Sequence, residues 1–233
     1  MATNMGRMLK FKRLTAARED CVAIETHTLV IAGWAGRNAA AIEHHIEELA
    51  ALGVPRPSST PIYYRVAAST LTQASTLSVL GPDSSGEVEP VIIATADGLW
   101  VGIGSDHTDR KAETIGIALS KQLCGKPVGR SLWSYGDVEP NWDELTLRSW
   151  ATIDGQRVLY QESSVTALRT PRDLIRLRTG RDALPAGTAM FCGTPAAIGG
   201  IRSATRFEME LNDPVLGRSL THAYDIDVLP VVA

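Results

Sequence analysis

The chain has 233 residues, enough for one large domain with a sizeable core, and its 44 % hydrophobic and 21 % charged content is that of an ordinary soluble globular protein. A formal charge of −3, from 23 basic against 26 acidic residues, excludes the basic footprint that a nucleic-acid partner needs. No apolar run is long enough to span a membrane. The basic N-terminus (Arg7, Lys10, Lys12, Arg13) lacks the apolar core of a signal peptide, and Cys21, Cys124 and Cys192 read as free thiols in a reducing cytoplasm.

In chain order, Lys10 to Ile31 reads as three short strands ending at Gly33. Asn38 is placed to cap a helix over Ala39 to Leu52, because its side chain can accept an orphan N–H of the first turn, and Gly53 stops it. His45 and Glu48 lie three apart on that helix and so neighbour each other on its surface; taken alone, such a pair reads as an exposed face. Ile62 to Val66 is a strand followed by a polar loop, Lys111 to Leu123 is helix-like, and Gly125 to Gly129 is a loop. Leu145 to Ile153 alternates into a second hairpin at Asp154-Gly155, and Gln156 to Ser163 returns. A helix from Pro171 to Leu177, a strand from Thr188 to Cys192 and two closing strands (Phe207 to Leu211, Ala223 to Val228) complete an α+β chain. His27 reads as a core histidine, and the five tryptophans as core or interface residues.

The chemistry concentrates between Glu87 and Arg110. Asp97-Gly98 lies between two Val/Ile/Trp-rich runs, a hairpin signal that rests on positive φ in a type I′ turn. With that pair at the turn centre, Glu89 faces Asp106, and Glu87 shares their face because strand side chains alternate. Two carboxylates then stand about 4.5–5.5 Å apart at Cβ, at the end of strands apolar on both faces. Something must offset the repulsion, and a divalent cation with oxygen ligands does so directly. The same register sends His107 to the opposite face, away from this patch.

Six blocks then fall into one order. Gly36-Arg37-Asn38, Glu87-Val88-Glu89, Gly104 through Arg110, Ser120-Lys121, Tyr160 through Ser164, and Leu184 to Gly187 followed by Cys192-Gly193-Thr194-Pro195 resemble the fumarylacetoacetate hydrolase superfamily, in a divergent branch of unknown function. The departures are a bare hairpin between Glu89 and Asp106, Cys192 where the family has Thr, and an unmatched Asp109.

The resemblance implies a mixed β-roll of packed curved sheets, with residues 1–58 as N-terminal strands and a lid-like helix of the same unit and 59–233 as the catalytic roll. It implies Mg²⁺ or Mn²⁺ on Glu87, Glu89 and Asp106. It implies His45 and Glu48 as base and orienting partner, with His44 and Glu47 as the same spacing one residue earlier. Lys121 would be catalytic, and Arg110, Gln161, Gly193 and Thr194 would hold substrate. The expected activity is hydrolytic carbon–carbon cleavage of a small β-dicarbonyl, acylpyruvate-like acid by a homodimer. Decarboxylation or isomerisation of an oxo acid, or a non-catalytic binding protein, are the alternatives.

Overall fold

The computed structural model describes residues 6–51 and 56–232, without the side chains of residues 45 and 48–51. β1 (Arg7–Leu14) and β2 (Glu19–Thr26) pair antiparallel; β3 (Thr28–Gly33) leads into α1 (Ala39–Ala51), and β4 (Ile62–Val66) returns beside β3. Then come β5 (Leu71–Thr72), β6 (Thr76–Leu80), β7 (Ser84–Ser85) and the hairpin β8 (Val88–Thr95) and β9 (Gly98–Ser105). β10 (Thr108–Asp109), α2 (Arg110–Glu113), α3 (Ile117–Leu123), β11 (Lys126–Pro127), β12 (Ser131–Ser134) and α4 (Tyr135–Val138) follow. The chain closes with β13 (Thr146–Ile153), β14 (Gln156–Ser164), α5 (Pro171–Thr179), β15 (Thr188–Phe191), β16 (Arg206–Asp213) and β17 (Arg218–Leu229).

Two sheets result. Eight strands run in the order β2-β1-β12-β9-β8-β15-β3-β4, and five in the order β14-β13-β16-β17-β6. Both are mixed: β1 runs parallel to β12, β15 to β3, and β17 to β6, and the other pairs are antiparallel. β8 sits inside the larger sheet, and every residue from Val88 to Ala94 is buried, as a strand covered on both faces must be. One face, with Val88, Ile92, Val101 and Ile103, packs with Leu147, Phe207, Leu211 and Tyr224 of the second sheet. The other, with Val91, Ile93 and Trp100, packs on Phe11, Leu29 and Phe191. Each such side chain contributes about 1.5–3 kcal/mol by burial.

Local chemistry sets the boundaries. Asn38 Oδ1 accepts the Ala41 N–H at 3.1 Å and starts α1. Thr170 caps α5, which ends at Gly180 in the left-handed region at φ 68°. Asp154 and Gly155 both take positive φ, the type I′ geometry expected there. The segment expected to be one helix from Lys111 is two, α2 and α3, parted at Gly116, whose φ of 176° is extended. The polar stretch after Val66 holds β5 and β6. His27 is exposed between β2 and β3, beside Glu25 at 3.5 Å, and is no core histidine.

The central hairpin forms in a different register from the expected one. The chain reverses at Ala96-Asp97, so Thr95 pairs with Gly98, Glu89 with Gly104, and Val88 with Ser105. The Asp97 carboxylate explains this: it accepts from the Thr95 hydroxyl and from Arg13, both at 2.6 Å, which pins it inside the turn. One step beyond the ladder, Asp106 donates its N–H to the Glu87 carbonyl at 3.0 Å, so Asp106 stands beside Glu87 rather than opposite Glu89. The partner changes by two residues, an even number, so each side chain keeps its face.

Candidate metal centre and active site

Glu87, Glu89 and Asp106 converge at this end of the hairpin, each offering an oxygen within 4.8 Å of the others. Glu89 is 2 % exposed and Asp106 fully buried. Glu89 Oε2 accepts the Gly193 N–H at 2.7 Å; among the described residues no hydrogen bond reaches its other oxygen. Burial, then the charges of Asp106 and Glu87, push the Glu89 carboxyl well above its ordinary range. Asp106 is held below its own: burial opposes its charge, and the ammonium groups of Lys126 and Lys121 outweigh that.

The repulsion that suggested a cation is therefore already answered from within the protein. Arg110 donates to Glu87 at 2.8 Å, to Glu113 at 3.0 Å and to Ser85 at 2.7 Å. Lys121 bonds Asp106 and lies 3.5 Å from Glu87. Lys126 Nζ lies 2.9 Å from Asp106 Oδ1 and donates to the His107 carbonyl at 2.5 Å. Three cations thus face three carboxylates. What still fits a divalent ion is the set of oxygens: three clustered carboxylates, with Asp106 Oδ1 buried and outside hydrogen-bond geometry with any partner. A hard cation preferring oxygen suits them, and there is no thiolate or imidazole in the cluster.

Lys126 has no signal in its own stretch, which reads as a loop. It enters because β11 pairs with β5 and passes over Gly104, where a Cβ would come within 2.9 Å of the Pro127 carbonyl oxygen. A glycine inside a strand marks such a close backbone approach, and Gly104 is the clue the sequence offers.

Of the residues expected to hold substrate, Gly193 and Thr194 line the cavity, and all four make hydrogen bonds within the protein. Gln161 accepts from Val88 N–H at 3.0 Å and Ser149 Oγ at 2.9 Å, and donates to Thr194 Oγ1 at 2.8 Å and the Pro195 carbonyl at 2.6 Å. Its amide is fully occupied. Thr194 donates to the Val88 carbonyl at 2.9 Å. Gly193 spends its N–H on Glu89, and Arg110 stands behind Glu87. Gly193 and Arg110 thus bond the carboxylates directly, and Gln161 and Thr194 bond the backbone of Val88 between Glu87 and Glu89.

A cavity of about 440 Å³ opens on Glu87, Glu89 and Lys121. α1 borders it through Ile42, which places His45 and Glu48 on a bordering element; their side chains lie outside the described residues. His44 and Glu47 are exposed. Trp34, expected in the core or an interface, lines the cavity. His107 points away, bonded to Tyr224 at 2.8 Å and Ser84 at 2.9 Å; burial, then Lys126, lowers its pKa to about 3 and keeps the ring neutral. Cys192 is buried, and burial followed by the nearby Glu89 charge pushes its thiol up, which leaves it inert.

A family model described as "Protein of unknown function (DUF2848)" matches residues 32–224. No curated protein matches the chain. Among solved structures, Cg1458 with inhibitor is similar at 19 % identity, over 93 % of this chain and 84 % of that one, with a TM-score of 0.62. The 2-keto-3-deoxy-D-arabinonate dehydratase complexed with magnesium and 2,5-dioxopentanoate is similar at 13 % identity, over 91 % and 78 %, with a TM-score of 0.63. The likeness is one of fold: these structures share the mixed α+β architecture of curved sheets expected for the chain, and the family model that matches is one of unknown function.

Proposed function

The chain belongs to the DUF2848 family, and from that premise we propose that it is a divalent-metal-dependent enzyme of small oxo acids. The reaction we assign is hydrolytic carbon–carbon cleavage of a β-dicarbonyl, acylpyruvate-like acid. The observation that carries this reading is a trio of carboxylate oxygens within 4.8 Å of one another, of which Glu87 and Glu89 line a small-molecule cavity. Glu87, Glu89 and Asp106 would hold Mg²⁺ or Mn²⁺. Such an ion, when bound, supplies Lewis-acid polarisation of a carbonyl.

The protein's own groups do the rest. Lys121, buried against two of the carboxylates, keeps its proton: burial disfavours the charge, and Glu87 and Asp106 overcome it. Its ammonium stands ready to meet negative charge that develops on substrate oxygen as the bond breaks. His45, oriented by Glu48, is assigned to take the proton of the attacking water, a role typically worth about 10²–10⁴ in rate. Gln161, Thr194, Gly193 and Arg110 hold the carboxylates in place.

A second reading, loss of water or CO₂ without hydrolysis, draws on the dehydratase that shares this fold. Product analysis in ¹⁸O-labelled water separates the two, since only hydrolysis carries label into a new carboxylate.

The decisive experiment is calorimetry with Mg²⁺ and Mn²⁺ on wild type and Glu89→Ala, followed by turnover of β-dicarbonyl acids. Wild-type binding with loss in the variant is expected. Failure of both to bind, or equal binding by both, ends the metal reading. The same reading has the protein acting as a homodimer, which light scattering on the eluting protein tests.

A further inference from the structure

Polar groups occupy one end of the cavity and bind one another there; the remaining wall is mostly apolar, with Tyr64 its one phenol. Leu168 begins that wall beside the carboxylates. Its Cδ2 lies 3.4 Å from where a Cβ on Gly193 would stand, and Gly193 is the residue that holds Glu89. Leu168 bridges to Gly36, and Ile42 lies 3.1 Å from where a Cβ on Gly36 would be. Ile117 of α3 lines the same space. Trp34 completes it with φ at 54°, a left-handed conformation that a bulky residue rarely adopts. Strain of that kind persists where the surroundings over-determine it, and it gathers at ligand sites.

We propose that the substrate is an oxo acid with an apolar tail, alkyl or aryl, seated against Leu168, Ile42, Ile117 and Trp34. This rests on the oxo-acid reading above and adds its specificity. A polyhydroxylated chain would lose its water of hydration against this wall and find few hydrogen-bonding partners in return. Trp34 acts as a specificity residue, offering a rigid aromatic face to the tail.

The test uses the Mg²⁺-loaded protein and three probes in calorimetry: benzoylpyruvate, acetylpyruvate and the polyol acid 2-keto-3-deoxy-D-arabinonate. Benzoylpyruvate is expected to bind at least about tenfold more tightly than acetylpyruvate, and the polyol acid most weakly. Trp34→Gly, which removes the strained side chain, is expected to melt no lower than wild type and to cut the benzoylpyruvate preference to about twofold or less. Ile117→Asn, a half-exposed position, should narrow the preference in the same direction and serves if the glycine variant does not fold. Equal affinity for the three acids overturns the proposal, as does Mg²⁺ binding with no acid bound. Tight benzoylpyruvate binding that ignores Mg²⁺ but falls in Trp34→Gly keeps the apolar tail and removes the metal.

Discussion

Glu89 and Gly193, 104 residues apart in sequence, meet at 2.7 Å through a backbone N–H that donates to a buried carboxylate. Gly193 sits at φ 97°, and a Cβ there would come within 2.9 Å of Ala35 Cβ. Gly193→Ala is therefore expected to destabilise by about 1–3 kcal/mol and to weaken Mg²⁺ binding by turning Glu89. Urea unfolding with parallel metal titration measures both, and unchanged metal affinity would show that Glu89 is held by other means.

Asp106 carries two buried ammonium partners. Asp106→Asn strands Lys126, which is fully buried, and is expected to cost about 3–5 kcal/mol. Adding Lys126→Met should recover part of that loss. A double-mutant cycle by chemical denaturation reads the coupling, expected at about 0.5–3 kcal/mol; additivity would mean the pair does not interact.

Because three cations already face the three carboxylates, the fold is expected not to depend on a metal. Chelation by EDTA is expected to leave the circular dichroism spectrum unchanged and to remove only the rise in Tm that excess Mg²⁺ produces. Lys126→Met takes away one positive charge, so its Mg²⁺ affinity should rise above wild type. Loss of structure in EDTA would show that the ion holds the hairpin end together.

The turn that sets the register has its own pH signature. Hydrogen bonds from Thr95 and Arg13 lower the Asp97 carboxyl to about 2, below its unfolded value. The contribution is thus complete above about pH 4 and is lost as pH falls through about 2. The full shift corresponds to about 2 kcal/mol, but the side chain is 55 % exposed, and solvent screening leaves at most about 1 kcal/mol. Asp97→Asn should lower stability by that amount at pH 6 and by only a small remainder at pH 2, read from urea midpoints. An equal loss at both pH values would assign the effect to packing.

The sequence placed the three carboxylates on one face for a reason that survived an error. Glu87 and Glu89 are two apart, and Asp106 follows a hairpin whose actual register differs from the expected one by an even step, so alternation alone was sufficient. It could not pair them correctly, because the turn position depends on Arg13, 84 residues before Asp97. Gln161 stands out in the sequence, but its hydrogen-bond partners do not: they come from Val88, Ser149, Thr194 and Pro195, and no local pattern announces that they converge. Lys126 was invisible because a two-residue strand has no periodicity to read. The left-handed Trp34 had no glycine or asparagine to mark it.

The balance of charges around Asp106 also sets an order of events. Empty, the cluster beneath the cavity already sets Arg110, Lys121 and Lys126 against the carboxyl groups of Glu87, Glu89 and Asp106, with Glu113 a further acid on Arg110, so its cations are spent on the protein's own acids. A divalent ion in place adds two positive charges to the same cluster, and an anion is then drawn in from about a Debye length away. Ion first, acid second is the sequence this arrangement imposes, and capture of the acid should slow with added salt only in the loaded protein.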